Sequence, residues 1–339
     1  MEQNFPLVSI IITSYNRANL ISKAIESALA QDYPNLEIII SDNCSTDQSD
    51  AIISKYTNDP RVKFSKNSTN IGMIPNFRKA TYELSKGEYI TYISSDDYLT
   101  DNSFVSDSIK LVKKYENIVL VHGRMSYMDT LTGVLWEMPE SPYFLEEIRA
   151  GKDVFFQSIK AGLLSWGACL LRKEAMTKAG AFQKEYHNAD IDADYKMMLG
   201  SSVGFLNKVC YWQLGHTDNS GYPTDPDKIL LSMECFENVA DYALKEMPGE
   251  KERIEEWRRH FLFSIIYWAF YSLKEKNKKE EFRIFKTGAQ KKYPAAYNSF
   301  IKSWKYKKLL IVQPVKRALP VKIVRLISNI HRKIKSQAK

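Results

Sequence analysis

Short apolar runs alternate with helically spaced ones over the first hundred residues, and this alternation limits the fold more than any other feature. Val8-Ser9-Ile10-Ile11-Ile12 is rich in β-branched residues, the pattern of a buried strand. Leu20, Ile21, Ala24, Ile25, Ala28 and Leu29 follow at helical spacing, with Asn19 placed as N-cap, until Tyr33-Pro34-Asn35 breaks the helix. Glu37-Ile38-Ile39-Ile40 predicts a second strand that ends in Ser41-Asp42. Ser45-Thr46-Asp47 opens a helix carrying Ala51, Ile52, Ile53 and Tyr56. Val62-Lys63-Phe64 predicts a third strand, residues 75–85 a helix, and Tyr89 to Ile93 a fourth strand running into Ser94-Ser95-Asp96-Asp97. Such alternation means an α/β fold, a parallel sheet with crossover helices on both faces. Ligands of these sheets bind beyond the carboxyl ends of the strands. Thr13 to Arg17, Asp42-Asn43, Lys66 to Gly72 and Ser94 to Asp97 are therefore the first candidates for a site. No Walker A or G-x-G-x-x-G loop occurs, so the two commonest phosphate cradles are absent.

Beyond residue 100 the pattern loosens. Residues 103–114 read as a helix, 118–121 and 167–171 as strands, 173–179 as a helix and 225–281 as helical. Residues 136–165 read as aromatic and loop-rich. The 339 residues, 44% of them apolar, suffice for about two domains. The four cysteines, Cys44, Cys169, Cys210 and Cys235, have neither CxxC nor zinc-finger spacing and read as buried reduced thiols. The N-terminus lacks a basic leader, and the longest apolar stretch, Phe261 to Leu273, is too short to span a bilayer.

Several ordered motifs resemble those of family-2 glycosyltransferases with the GT-A fold, over about residues 6–220. Val8 to Arg17 is similar to the family's opening strand and turn, and Gln31 to Asp47 to its second block, with Cys44 where Gly is commoner. Asn70-Ile71-Gly72 followed by Asn76 is similar to the third. Ser94-Ser95-Asp96-Asp97 sits at the Asp-x-Asp motif, with Ser94 in place of its first Asp. Leu171 to Glu174 and Gly180-Ala181-Phe182 resemble the segment before the catalytic base. Asp192-Ala193-Asp194-Tyr195 resembles the base motif itself, with Ile191 where a Glu is usual. His216 falls where many members carry a late histidine.

The resemblance implies a GT-A domain over 1–220, a helical extension over 221–281 and a basic tail over 282–339. It also implies an inverting enzyme that moves a sugar from a nucleotide-sugar donor, a UDP-sugar by preference, to a hydroxyl of a lipid-linked or cell-surface glycan acceptor. Thr13, Tyr15, Arg17, Asp42, Asn43, Asn70, Gly72, Asn76, Ser95, Asp96 and Asp97 would line the donor. Tyr15 would serve as platform for the base and Asp42 as acceptor for its imide, unless Tyr15 only packs and Asp42 only caps the next turn. A diphosphate leaves readily only when its charge is neutralised, so Mn²⁺ or Mg²⁺ is expected on Asp96, Asp97 and His216. The acceptor hydroxyl must lose a proton, and Asp192, then Asp194, is the candidate general base. Trp166-Gly167 would form an acceptor wall, with core packing as the rival reading for Trp166. A non-catalytic nucleotide-sugar-binding scaffold of the same fold is the alternative function.

Charge divides the chain. Of 48 Lys and Arg, 16 lie in residues 282–339, where there is no acid at all, so that segment is +16 and residues 1–281 are −8. Val321, Val324, Ile327, Ile330 and Ile334 keep helical spacing among Arg325, Arg332, Lys333 and Lys335. A basic amphipathic helix lies in the headgroup region of an anionic membrane. The sequence therefore predicts a cytoplasmic protein, peripheral on the inner face of the cell membrane. A helix docked on the acidic body, or on a second copy in a homo-oligomer, is the alternative, and nucleic acid is set aside as a partner.

Overall fold

The β-branched runs become the centre of a mixed sheet. The computed structural model describes residues 5–129, 134–137, 141–164, 166–215 and 223–307. These divide into two units, one made of Met1–Met128, Leu135–Glu185 and Ala189–Leu214, the other of Asp129–Val134, Tyr186–Asn188 and Gly215–Lys339.

In the first unit β1 (Val8–Ser14), α1 (Ile21–Leu29), β2 (Leu36–Asp42), α2 (Ser49–Ile53), β3 (Val62–Lys66), α3 (Met73–Lys79) and β4 (Tyr89–Ser94) alternate as the periodicity requires. β5 (Tyr98–Leu99), α4 (Phe104–Lys114), β6 (Ile118–Asp129), β7 (Val134–Glu137), β8 (Ile148–Ala150), α5 (Gly151–Ala161), β9 (Cys169–Arg172), α6 (Lys173–Ala179), α7 (Ala189–Met198) and β10 (Ser202–Gly215) follow. The strand order is β3-β2-β1-β4-β9-β6-β10-β5, with β7 beside β6 and β8 beside β10. β3, β2, β1 and β4 run parallel, and β9 joins antiparallel to both β4 and β6. Val8, Ile10, Ile12, Ile38, Ile40 and Ile93 pack with Ile21, Ile25, Phe104 and Ile109 in one buried cluster. Burying each such side chain contributes about 1.5–3 kcal/mol.

Two local expectations change. Asn19 does not cap α1; the Arg17 carbonyl accepts both Leu20 N–H (2.9 Å) and Ile21 N–H (3.0 Å), so backbone satisfies the first turn. The segment 136–165 is not mostly loop, because Gly151–Ala161 is helical. Its aromatic residues, poor helix formers in isolation, are held there by burial of Val154, Phe155 and Phe156.

One buried carboxylate ties the amino ends of the strands. Glu37 Oε1 accepts the Ser9 hydroxyl (2.6 Å) and the Lys86 (2.5 Å) and Gly87 (3.2 Å) N–H groups, while Oε2 pairs with Lys63 Nζ at 2.5 Å. Burial pushes the carboxyl up, but the bonds from Lys63, Ser9 and the Lys86 N–H outweigh it and hold its pKa below the ordinary value. A carboxyl depressed in the native state adds stability at neutral pH, which is lost as pH falls through and below the ordinary carboxylate range. Glu37→Ala should cost about 2–4 kcal/mol by removing the acceptor of the Lys86 N–H and the Ser9 hydroxyl and the partner of Lys63, while the Gly87 N–H keeps Ser9 Oγ at 2.8 Å. Urea unfolding at neutral pH checks this, and a cost under about 1 kcal/mol would contradict it.

The second unit is helical: α8 (Pro226–Glu246), α9 (Lys251–Glu275), α10 (Lys279–Lys292) and α11 (Pro294–Lys302). Asp225 caps α8, accepting Asp227 N–H at 2.9 Å, and Pro226 opens its first turn. Phe236, Trp257, Phe261, Phe270, Phe285 and Phe300 form its aromatic core. α10 and α11 show that the segment expected as tail from residue 282 begins folded, with Phe285, Ala289 and Phe300 buried; residues 308–339 lie outside the described residues. Among the described residues no helix is long and apolar enough to cross a membrane, and all four cysteines are free thiols.

Candidate active site

The parallel register brings three strand ends level. Thr13 lies between Ser41 of β2 and Ser94 of β4, and Ser14 lies opposite Asp42. The turns that leave β1 and β2 both pass through the left-handed region, at Asn16 (φ 52°) and Cys44 (φ 67°). They are buckled together. Asn16 N–H donates to Ser45 Oγ (2.8 Å), Thr46 N–H to Asn16 Oδ1 (2.8 Å) and Ala18 N–H to Asp47 Oδ2 (2.9 Å). Ser45, Thr46 and Asp47 thus fix the turn that carries Tyr15 and Arg17. Tyr15 is 44% exposed at that edge.

Asp42 is buried, and Ser45 occupies both of its oxygens, N–H to Oδ1 at 2.7 Å and hydroxyl to Oδ2 at 2.5 Å. In this state Asp42 makes the turn-capping contacts. Four asparagines then bind the β3–α3 loop to the end of β2. Asn43 Nδ2 donates to Asn70 Oδ1 (2.8 Å) and to the Gly72 carbonyl (3.2 Å), and Asn43 Oδ1 accepts from Asn67 Nδ2 (3.1 Å) and Ile71 N–H (3.0 Å). Asn76 Oδ1 accepts the Ser41 hydroxyl (2.8 Å) and Asn67 Nδ2 (2.9 Å). Gly72 stands at φ 93°, which a side chain would strain. Asn67, between all of these, is a residue that sequence reasoning missed, although its spacing before Asn70 was the available signal.

The acidic pair splits into two roles. Asp97 is buried; Tyr211 OH donates to its Oδ2 (2.9 Å) and Leu214 N–H to its Oδ1 (2.8 Å). Burial and the neighbouring Asp96 push its carboxyl up to about 7 against those two bonds. Both oxygens hold β10 to the end of β4, so Asp97 makes structural contacts at the position expected of a metal ligand. Asp96 keeps a partly exposed carboxylate, with Oδ2 3.6 Å from Arg17 Nε. Ser95 is buried beside it. Tyr211 also accepts Ser94 N–H at 3.3 Å, a tie to β4 that sequence alone gave no sign of. His216 lies outside the described residues, and among the described residues no three His, Cys, Asp or Glu side chains gather as a metal cluster. One accessible carboxylate still suits Mn²⁺ or Mg²⁺, which can take most of their oxygens from a diphosphate and water.

The acids of α7 differ equally. Asp192 is buried, with Oδ1 paired to Lys196 Nζ at 2.7 Å one turn on. Asp194 is fully buried; burial drives its carboxyl well up, Trp166 Nε1 donates to Oδ1 at 2.6 Å, and Oδ2 has no hydrogen-bond partner. Burial also raises Asp190, to about 6. Asp194 is thus built into the core through Trp166, while Asp192 pairs with a lysine.

Trp166 stacks on Tyr92 (centroids 4.6 Å apart), with Phe77 and Phe182 at its edges (6.3 and 4.8 Å). A Cβ on Gly167 would crowd Met125 and Tyr211. Trp166 therefore packs in the core, the rival reading given for it, while Gly167 is half-buried. Arg78 Nε (2.8 Å) and Nη2 (2.5 Å) donate to the carbonyl of Phe182, which is held at φ 62° just before α7. At the other end of α7, Gly151 N–H donates to Ser201 O at 2.8 Å, and a Cβ there would overlap the Met198 carbonyl oxygen. Gly151→Ala should cost about 3 kcal/mol, since backbone cannot yield as a side chain does; an unchanged thermal midpoint would refute this close approach.

The carboxylate, the arginine, the exposed tyrosine and the amide-rich loop all lie beyond the carboxyl ends of the parallel strands, where ligands of such sheets bind, and the fold is of the GT-A type. The chain belongs to glycosyl transferase family 2, whose sequence model matches residues 9–179. An uncharacterized glycosyltransferase of Rickettsia typhi is 31% identical over 271 residues, 78% of this chain and 81% of that one. Poly(ribitol-phosphate) beta-N-acetylglucosaminyltransferase TarS of Staphylococcus aureus is 30% identical over 115 residues, 33% of this chain and 20% of that one. Residues 1–349 of TarS, in a crystal structure with UDP-GlcNAc, share the fold at TM-score 0.65 and 19% identity, covering 84% of this chain and 81% of that one. A mannosyltransferase of Pyrobaculum calidifontis, solved with GDP-Man and Mn²⁺, does so at TM-score 0.52 and 13% identity, covering 97% and 88%.

Proposed function

We propose that the chain transfers a sugar, with inversion, from a UDP-linked donor to a hydroxyl of a bacterial surface or lipid-linked glycan. The observation that carries this reading is Asp96, the partly exposed carboxylate just beyond the strand-end register shared by Thr13, Ser41 and Ser94. The exposed Tyr15 ring offers a face to the base, and the Asn43–Asn70–Gly72 loop offers polar backbone to the ribose. Arg17, which meets Asp96 in the free protein, is placed to pair with the diphosphate. Mn²⁺ or Mg²⁺ held by Asp96 would neutralise the departing diphosphate. Asp192 takes the acceptor's proton as its oxygen bonds the anomeric carbon, and the sugar–phosphate bond electrons leave with the diphosphate. No carboxylate nucleophile is needed for a single displacement. Lys196 keeps Asp192 oriented and must yield to the acceptor hydroxyl. The uncharacterized Rickettsia relative and the UDP-GlcNAc complex of TarS support this reading, and the mannosyltransferase complex supports the metal.

The Asp192–Lys196 pair and Ser94 favour one second reading, a scaffold that binds nucleotide sugars without turnover. Thermal-shift titration with UDP, GDP, dTDP and their sugars, each with Mn²⁺, Mg²⁺ or EDTA, separates the outcomes. A metal-dependent shift with one nucleotide followed by sugar release to an acceptor supports the enzyme. Binding without transfer to any membrane-extract acceptor supports the scaffold, and no shift at all removes both. The basic segment from residue 308 onward would hold the protein at the inner face of an anionic membrane, near such an acceptor.

A further inference from the structure

α9 is built inside out near its end. Its inward residues Trp257, Phe261, Ile266, Phe270 and Leu273 are buried, as a bundle helix requires. The outward residues of a bundle helix are ordinarily charged. Here residues 260–273 contain no charged side chain, and the outward stripe is Phe263, Tyr267, Trp268 and Tyr271. Trp268 is 36% exposed, with its ring 5.2 Å from Tyr267 and 5.7 Å from Tyr271. The chain after α11 returns along this stripe: Phe300 packs on Phe263 (5.6 Å), and Lys305 Nζ lies over the Phe263 and Tyr267 rings at 5.4 and 5.7 Å. Trp304, between those two anchors, is 66% exposed. Along the sequence, residues 257–307 hold thirteen Lys and Arg against three acids, with Arg258, Lys278 and Arg283 engaged in ion pairs.

We propose that this face of the helical unit is a membrane-docking surface, with Trp268 and Trp304 seated among the headgroups of an anionic bilayer. Indole rings prefer that depth because one edge is polar and the body apolar. Lysines that stack their stems on aromatic rings keep their ammonium groups toward phosphate. The segment from residue 308 is a poor cover for the face, because it carries nine further bases and no acid, so the two surfaces repel each other and share one attraction. The proposal deepens the membrane reading of the basic segment, and rests on it only for the anionic lipid they share.

Full-length protein would be mixed with phosphatidylcholine vesicles with and without phosphatidylglycerol, some made with brominated phosphatidylcholine. Binding should need phosphatidylglycerol, and bromine should quench tryptophan fluorescence. Trp268→Ser with Trp304→Ser should weaken binding by about tenfold or more. Trp268→Phe with Trp304→Phe should keep most binding and lose the quenching. Neutralising Arg325, Arg332, Lys333 and Lys335 with Gln should weaken binding while leaving bromine quenching of the bound fraction. Unchanged affinity in the Ser variant, or unchanged quenching in the Phe variant, overturns the docking face and leaves the basic segment's role standing. No binding of the wild type to phosphatidylglycerol vesicles overturns both. A wild-type dimer that the Ser variant dissolves, with vesicle affinity unchanged, overturns the proposal in favour of a contact between copies.

Discussion

Asp96→Ala should abolish the metal-dependent thermal shift with the donor and lower turnover by about 10³-fold, the size of several kcal/mol of lost charge neutralisation at the leaving diphosphate. The folded protein should survive, because the Asp96 side chain is partly exposed and its ion pair with Arg17 is long at 3.6 Å. Asp97→Ala should behave differently. It strips Tyr211 OH and Leu214 N–H of a buried acceptor, so its main effect should be on stability. An Asp96→Ala protein that transfers sugar at near the wild-type rate would remove the diphosphate role from this carboxylate. Circular dichroism beside the thermal-shift assay separates loss of site from loss of fold.

The second large effect belongs to α7. Asp192→Asn should lower kcat by about 10²–10⁴-fold with donor affinity unchanged, because an amide cannot take the acceptor's proton. Asp194→Asn should be nearly silent. Its carboxyl is driven up by burial, and an amide oxygen can still accept the Trp166 indole N–H. Asp194→Ala should instead loosen Trp166 and lower the thermal midpoint. Equal losses in Asp192→Asn and Asp194→Asn would contradict the division between proton acceptor and structural acid. Such losses are measured as kcat and donor KM separately, since a base variant moves only the first.

The strand–helix alternation of residues 8–94 was legible because each element is local and its apolar spacing is regular. The strand ends were legible by the same rule, and Tyr15, Asp42, Asp96 and Asp192 all lie where that reading or the family resemblance put them. The division of labour within each acidic group was not. Asp97 differs from Asp96 only because Tyr211 and Leu214, more than a hundred residues away, reach it. Trp166 looked like an open aromatic platform until Tyr92, Phe77 and Phe182 closed around it. Glu37 read as one more strand residue, since its partners at Ser9, Lys63 and Lys86 come from three separate segments. The exposed aromatic stripe of α9 was visible as the apolar run Phe261 to Leu273, but which of its residues face outward required the bundle.

The asparagine cluster that ties the β3–α3 loop to β2 has a consequence for how the site responds to its surroundings. Asn43, Asn67, Asn70 and Asn76 are joined to one another mainly through amides, with the Ser41 hydroxyl on Asn76 Oδ1 and Lys79 Nζ on Asn67 Oδ1 (both 2.8 Å), and an amide does not ionise in the physiological range. Mild acidification therefore leaves the amide–amide contacts of this loop in place, where a cradle of carboxylates would slacken. On the proposed reading, a drop in pH would slow turnover by protonating a carboxylate base while the amide contacts of the donor loop persist.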